Sequence, residues 1–249
     1  MFKRRFLVLA ASLIVSSLVG TASALAAGDD AYPHRQYYPE LKPKLIEIND
    51  MTKSIGDYVV VDVRSPFEYS VMHIQGAINL PVEDGKFLAK AQQASAEGGK
   101  PLLFYCNGRT CEKSYTAGNK AAKGGFTRFV VYDGGIGEWS ATNPQMTVLL
   151  DKPLNPALLI SKEKFKAHNL PPKDFMSQAN AQPTAKIVDI RSASEADGIN
   201  LFPGRDIRTG FDIEKLKKVL MAAKEANQVV FAYDNSGHQV TALQYLLEE

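Results

Sequence analysis

The stretch Pro101-Leu102-Leu103-Phe104-Tyr105-Cys106-Asn107-Gly108-Arg109-Thr110-Cys111-Glu112-Lys113-Ser114 decides the reading of this chain. An apolar run bounded by turn residues suits a buried strand, and Glu112 to Lys123 suits a helix that ends at Gly124-Gly125. Cys106 then falls where a strand stops and a helix N-terminus begins. Unpaired N–H groups and the helix dipole at such a junction stabilise a thiolate or a bound anion. Cys106 and Cys111 are the two cysteines of the protein, and a single pair this close cannot form a disulfide framework for 249 residues.

On the N-terminal side, Tyr58 to Val63 is a run rich in β-branched valine, the pattern of a strand buried on both faces of a parallel sheet. Leu45 to Ile48 reads as an earlier strand, with Asn49 capping a short helix through Ser54. Ser65 and Pro66 read as the N-cap and first residue of another short helix through Tyr69. His73 to Pro81 reads as a turn and a brief strand, and Val82 to Ala96 as mostly helical. On the C-terminal side, Phe129 to Tyr132 is a strand, Asp133-Gly134-Gly135 a turn, and Ile136 to Trp139 the start of a helix. Strands alternating with helices of this length imply an α/β fold, a parallel sheet with helices on both faces. Ligands bind such sheets beyond the carboxyl ends of the strands, where Cys106 lies.

Met1 to Arg5 is a basic start, Phe6 to Val19 an apolar core, and a small-residue cleavage site falls near Ala24 or Ala26. Residues 1–26 therefore read as a secretory signal peptide, and the expected mature protein is periplasmic or secreted, with no membrane association after cleavage. A net charge of +2 with lysines and arginines spread along the chain gives no case for nucleic-acid binding. Residues 27–44, with Pro33, Pro39 and Pro43, read as an extended arm over the domain that follows at 45–142. Residues 143–157, with Pro144, Pro153 and Pro156, read as a linker to a second domain at 158–249.

That second domain repeats the first. Asp189 follows Asp62 by 127 positions, while Pro203-Gly204 matches Gln75-Gly76 and Val230 to Asn235 matches Leu102 to Asn107, both at 128. Asp234 stands where Cys106 stands, so the second copy has no thiol at that position. It also lacks a counterpart of residues 129–139 before Glu249, and reads as a degenerate, truncated copy, whether naturally short or a fragment end.

Four groups now stand in order: Asp62-Val63-Arg64-Ser65-Pro66-Phe67-Glu68-Tyr69, His73-Ile74-Gln75-Gly76-Ala77-Ile78-Asn79, Cys106 after a strand, and Gly134-Gly135-Ile136-Gly137-Glu138-Trp139. This set resembles the rhodanese (thiosulfate:cyanide sulfurtransferase) family over about Leu45 to Trp139. The resemblance implies a tandem rhodanese-like protein that moves sulfane sulfur through a persulfide on Cys106. A small anionic donor of the thiosulfate type would supply the sulfur, and a thiol or cyanide-like acceptor would remove it, with no cofactor and no metal. The binding residues would be Asn107, Gly108, Arg109, Thr110, Cys111, Glu112 and Lys113, the amides supplying N–H donors and Arg109 with Lys113 the cations. Asp62, Arg64, Glu68 and His73 would hold the turns together.

The loop departs from the family's usual six-residue form. Gly108 follows the cysteine by two positions rather than three, and the usual neighbouring serine is displaced to Ser114. The Cys-x5-Arg pattern of the related dual-specificity phosphatases would need arginine at position 112, where Glu112 stands. Cys111 reads either as inert or as a resolving thiol. The altered loop and this second cysteine motivate a rival expectation: a non-catalytic binding or redox-sensing domain closed by a Cys106–Cys111 disulfide.

Overall fold

The computed structural model describes residues 32–192, 195–196, 200–235 and 237–248, so the expected signal peptide and residues 27–31 of the arm lie outside the described residues. The arm is two 3-10 turns, Arg35–Tyr37 and Pro39–Lys44, rather than an extended segment. Proline fixes φ near the value such turns need, and Leu41 is buried beneath them. The expected first strand reduces to a single bridge from Leu45 to Val131, because helix α1 (Ile48–Ser54) begins on Glu47 and leaves no length for a ladder.

The β-branched run becomes β1 (Val59–Asp62). Helix α2 (Pro66–Val71) follows, opened by a complete capping box in which Ser65 accepts from the Glu68 amide and Glu68 accepts from the Ser65 amide. Next come β2 (Met72–Ile74), β3 (Ile78–Asn79), α3 (Phe87–Gly98), β4 (Leu102–Tyr105), α4 (Lys113–Lys123), β5 (Phe129–Tyr132) and α5 (Gly135–Thr142). Helix α3 starts later than its composition suggests. Asp84 first takes the Lys86 amide at 2.8 Å, and this local turn competes with helix over residues 82–86.

The main sheet has the order β3-β1-β4-β5 and is parallel throughout. Every residue of β4 is buried, and alternate side chains feed two cores. Leu103 and Tyr105 join Phe67, Tyr132 and Trp139 on one side, while Leu102 and Phe104 join Phe87, Tyr115 and Val131 on the other.

Residues 143–157 are more than a linker. Strands β6 (Thr147–Leu149) and β7 (Lys152–Pro153) form a hairpin, and β6 pairs antiparallel with β2. Its two-residue turn, Leu150-Asp151, takes φ of 49° and 61°, the left-handed values that a tight hairpin requires. Leu150 gives no sign of such a turn in the sequence, whereas Asp151 is of a type that tolerates left-handed backbone.

Helices α6 (Lys162–Ala167) and α7 (Pro172–Ala181) lead into β8 (Lys186–Asp189), β9 (Asp206–Arg208), α8 (Ile213–Glu225), β10 (Val230–Tyr233) and α9 (His238–Leu247). The second sheet, β10-β8-β9, is also parallel and matches β4-β1-β3 strand for strand. Local bonding matches as well. Arg64 donates from its amide and Nε to Asp62 Oδ1, both at 2.9 Å, and Arg191 makes the same bonds to Asp189 at 3.0 and 2.9 Å. Ser192 and Glu195 repeat the reciprocal amide bonds of Ser65 and Glu68.

Candidate active site

Strand β4 ends at Tyr105 and helix α4 begins at Lys113, so residues 106–112 form the loop between them. Cys106 is fully buried at its start, and Cys111, tied back by a 2.8 Å bond from its amide to the Gly108 carbonyl, is buried too. Both are free thiols. Cys106 Sγ lies 3.5 Å from Ser114 Oγ and 3.3 Å from the Cys111 carbonyl, which accepts from the neutral thiol.

Burial pushes the Cys106 thiol up, but hydrogen bonds from the Cys111 thiol, the Ser114 hydroxyl and the amides of Ser114 and Gly108 outweigh it and bring the group below an ordinary thiol. Cys111 moves the other way, held well above its ordinary range by its hydrogen bond to Cys106 and by burial. The two thiols are thus shifted in opposite directions, Cys106 towards the thiolate and Cys111 towards the neutral thiol.

One glycine beneath the loop makes this geometry accessible. Gly135 has φ of 63°, and a Cβ there would sit 2.4 Å from the Gly108 nitrogen and 2.6 Å from the Cys106 oxygen. The loop thus rests directly on backbone. The first free amides of α5 then donate to it, Ile136 to the Cys106 carbonyl at 2.9 Å and Gly137 to the Asn107 carbonyl at 3.1 Å.

Asn107 faces inward. Its Nδ2 donates to Glu68 Oε1 at 2.5 Å, and its Oδ1 accepts from Arg64 Nη1 at 3.2 Å. Arg64 in turn grips Asp62 and donates to the Met72 carbonyl. Asp62, Arg64 and Glu68 thus brace the cysteine loop as well as their own turn. His73 Nδ1 lies 2.7 Å from the Tyr69 carbonyl, with its ring stacked on Tyr69.

The expected cations are directed elsewhere. Arg109 Nη2 donates to Glu138 Oε1 at 2.7 Å and its guanidinium stacks on the Tyr32 ring, and Lys113 pairs with Glu83 at 2.9 Å. The largest influences lowering the Cys106 thiol are hydrogen bonds, not these charges. The arm holds the outer side of the loop: His34 Nε2 bonds the Thr110 carbonyl at 3.0 Å, and the Tyr38 hydroxyl donates to Glu112 at 2.6 Å. Arg35 anchors the arm through the buried Asp133, to which its Nε donates at 2.8 Å.

Sequence reading missed Ser114, Gly135 and the arm. Ser114 lies eight positions beyond Cys106, but the first turn of α4 carries it back over the sulfur. The Gly134-Gly135 pair was visible as a turn, though not as a floor for the loop.

The central strand of the parallel sheet thus delivers Cys106 to a loop in which the amides of Gly108 and Ser114 reach its sulfur. A family model described as "Rhodanese-like domain" matches residues 47–142, which makes this part of the chain a rhodanese-like domain. Thiosulfate:glutathione sulfurtransferase of Saccharomyces cerevisiae is 28% identical over 103 residues, covering 36% of this chain and 73% of that protein. A probable adenylyltransferase/sulfurtransferase of Mycobacterium tuberculosis is 32% identical over 97 residues, covering 38% of this chain and 23% of that protein. A crystal structure of a Bacillus halodurans protein is 25% identical, covering 55% of this chain and 97% of that one, with a TM-score of 0.39.

Proposed function

We propose that the domain at 47–142 is a sulfurtransferase that carries sulfane sulfur on Cys106. The observation that carries this reading is the reduced Cys106 sulfur collecting the Ser114 hydroxyl, the Cys111 thiol and two backbone amides. In the first step the Cys106 thiolate attacks the outer sulfur of a thiosulfate-like donor. The new S–S bond forms as the donor's own S–S bond breaks, sulfite leaves with its electron pair, and the negative charge stays on the terminal sulfur of the persulfide. A thiolate acceptor then attacks that terminal sulfur and restores the Cys106 thiolate. The amides of Gly108 and Ser114 stabilise the anion throughout, as an oxyanion hole does in acyl transfer.

Cys106 is fully buried, so a donor reaches it by displacing part of the loop or of the arm held against it at Thr110 and Glu112. The composition of residues 1–26 supports export, to the periplasm or by secretion. The second domain, with Asp234 in place of the cysteine, is catalytically silent.

Thiocyanate formation from thiosulfate and cyanide tests the activity. Wild-type protein and a Cys111→Ser variant should both turn over, and Cys106→Ser should not. Turnover that survives Cys106→Ser would overturn the reading. A binding or redox role gains support if Cys106 and Cys111 are instead recovered as a stable disulfide at periplasm-like redox poise.

A further inference from the structure

The silent domain reaches into the site of the other. Gln239, in the first turn of α9, is 2% exposed, and its amide lies between two groups of the opposite domain. Its Nε2 donates to Glu68 Oε2 at 3.2 Å and its Oε1 accepts from the Ser65 hydroxyl at 3.0 Å. Glu68, 1% exposed, accepts with its other oxygen from Asn107 Nδ2, and Asn107 is the residue directly after Cys106. An unbroken chain of buried hydrogen bonds thus runs from α9 to the cysteine loop.

The start of α9 is itself held by the residue that replaced the cysteine. Asp234 accepts from the amides of Gly237, Gln239 and Val240, so its carboxylate sits among the amides of its own loop and fixes the turn that presents Gln239.

We propose that the second domain is a clamp on the cysteine loop, with Gln239 as the positioning residue and Asp234 as the group that sets it. A buried polar chain of this kind is unfavourable when broken in the middle, since each orphaned partner is left without water. Losing Gln239 leaves Glu68 short of a donor, loosens Asn107, and lets the Gly108 amide drift from the Cys106 sulfur. The effect on sulfur transfer rests on the function proposed above. The effect on the Cys106 thiol does not.

The test is therefore the rate of Cys106 alkylation by iodoacetamide across pH, resolved by peptide mass, in the full chain. Gln239→Met keeps the side chain's length and removes both bonds. It should move the midpoint of the alkylation profile upward by about one pH unit, whatever change in the plateau rate the looser loop brings. Gln239→Asn, too short to reach Glu68, should do the same and serves if the methionine variant folds poorly. Asp234→Ala should reproduce the loss, and Asp234→Asn, which keeps one acceptor, should fall between it and wild type. Leu243→Ala, one helical turn along α9 and also buried, should lower Tm without moving the midpoint. Unchanged alkylation in both Gln239 variants, or losses that merely track Tm in all variants including Leu243→Ala, would overturn the proposal. Absence of sulfur transfer in wild type alongside these shifts would remove the functional reading and leave the clamp standing.

Discussion

The loops after β4 and β10 are two solutions to one geometry. Each follows the matching strand of a parallel sheet, each sits beside an Asp–Arg pair with the same bonding, and each aims backbone amides inward. The first places a thiol at the focus, the second a carboxylate. Asp234 brings its own negative charge into the amide ring and fills it permanently. Cys106 brings a thiol that hydrogen bonds from its loop shift towards the thiolate, and in the proposed function it carries the transferred sulfur. The same inward-facing amides thus meet a thiol in one loop and a carboxylate in the other, a difference of one residue at the centre.

Removing the centre of the first loop should have the largest effect. Cys106→Ser should abolish sulfur uptake and thiocyanate formation while leaving Tm close to wild type, because serine fits the same hydrogen bonds.

Removing the floor comes next. Gly135→Ala forces a left-handed backbone on alanine and drives its Cβ into Gly108, Asn107 and Cys106, so it should cost about 3 kcal/mol in urea unfolding and most of the activity. A stable, active Gly135→Ala protein would mean that the loop does not rest on that backbone.

A smaller effect is expected from Ser114→Ala, which removes one donor to the sulfur. The midpoint of Cys106 alkylation should rise by about half to one pH unit, equivalent to about 1 kcal/mol. No rise would remove Ser114 from the cradle.

The smallest effect concerns the clamp between the loops. Burial pushes Glu68 up, but Arg64, Asn107, Lys113 and Ser65 more than reverse it, so its folded value lies below 4.5. A carboxylate held low contributes stability that is present above the unfolded value and is lost as pH falls through the folded value. Wild type should therefore lose stability progressively as pH falls below about 4.5, and Glu68→Gln should show a flatter slope there in urea titrations.

Local pattern carried much of the main domain. The β-branched run at 59–62 is a strand because its side chains are buried on two faces, and Ser65-Pro66 opens a helix because both residues suit that end. The repeat carried Asp189 to β8 by the same logic. What escaped depends on distance. His34 meets Thr110 across 76 positions and Gln239 meets Glu68 across 171, and no periodicity encodes such meetings. The Leu150-Asp151 turn escaped because Leu150 does not favour left-handed backbone and because β6 lies far in sequence from β2, with which it pairs. Arg109 was legible as a cation beside the cysteine. The competing Glu138 and Tyr32 were not.

The most direct measurement is the intact and peptide-resolved mass of reduced wild-type protein after incubation with thiosulfate. The expected result is the gain of one sulfur atom, located on Cys106 and removed by a small thiol. No gain with any sulfane donor, while Cys106 remains reduced and open to alkylation, would contradict it.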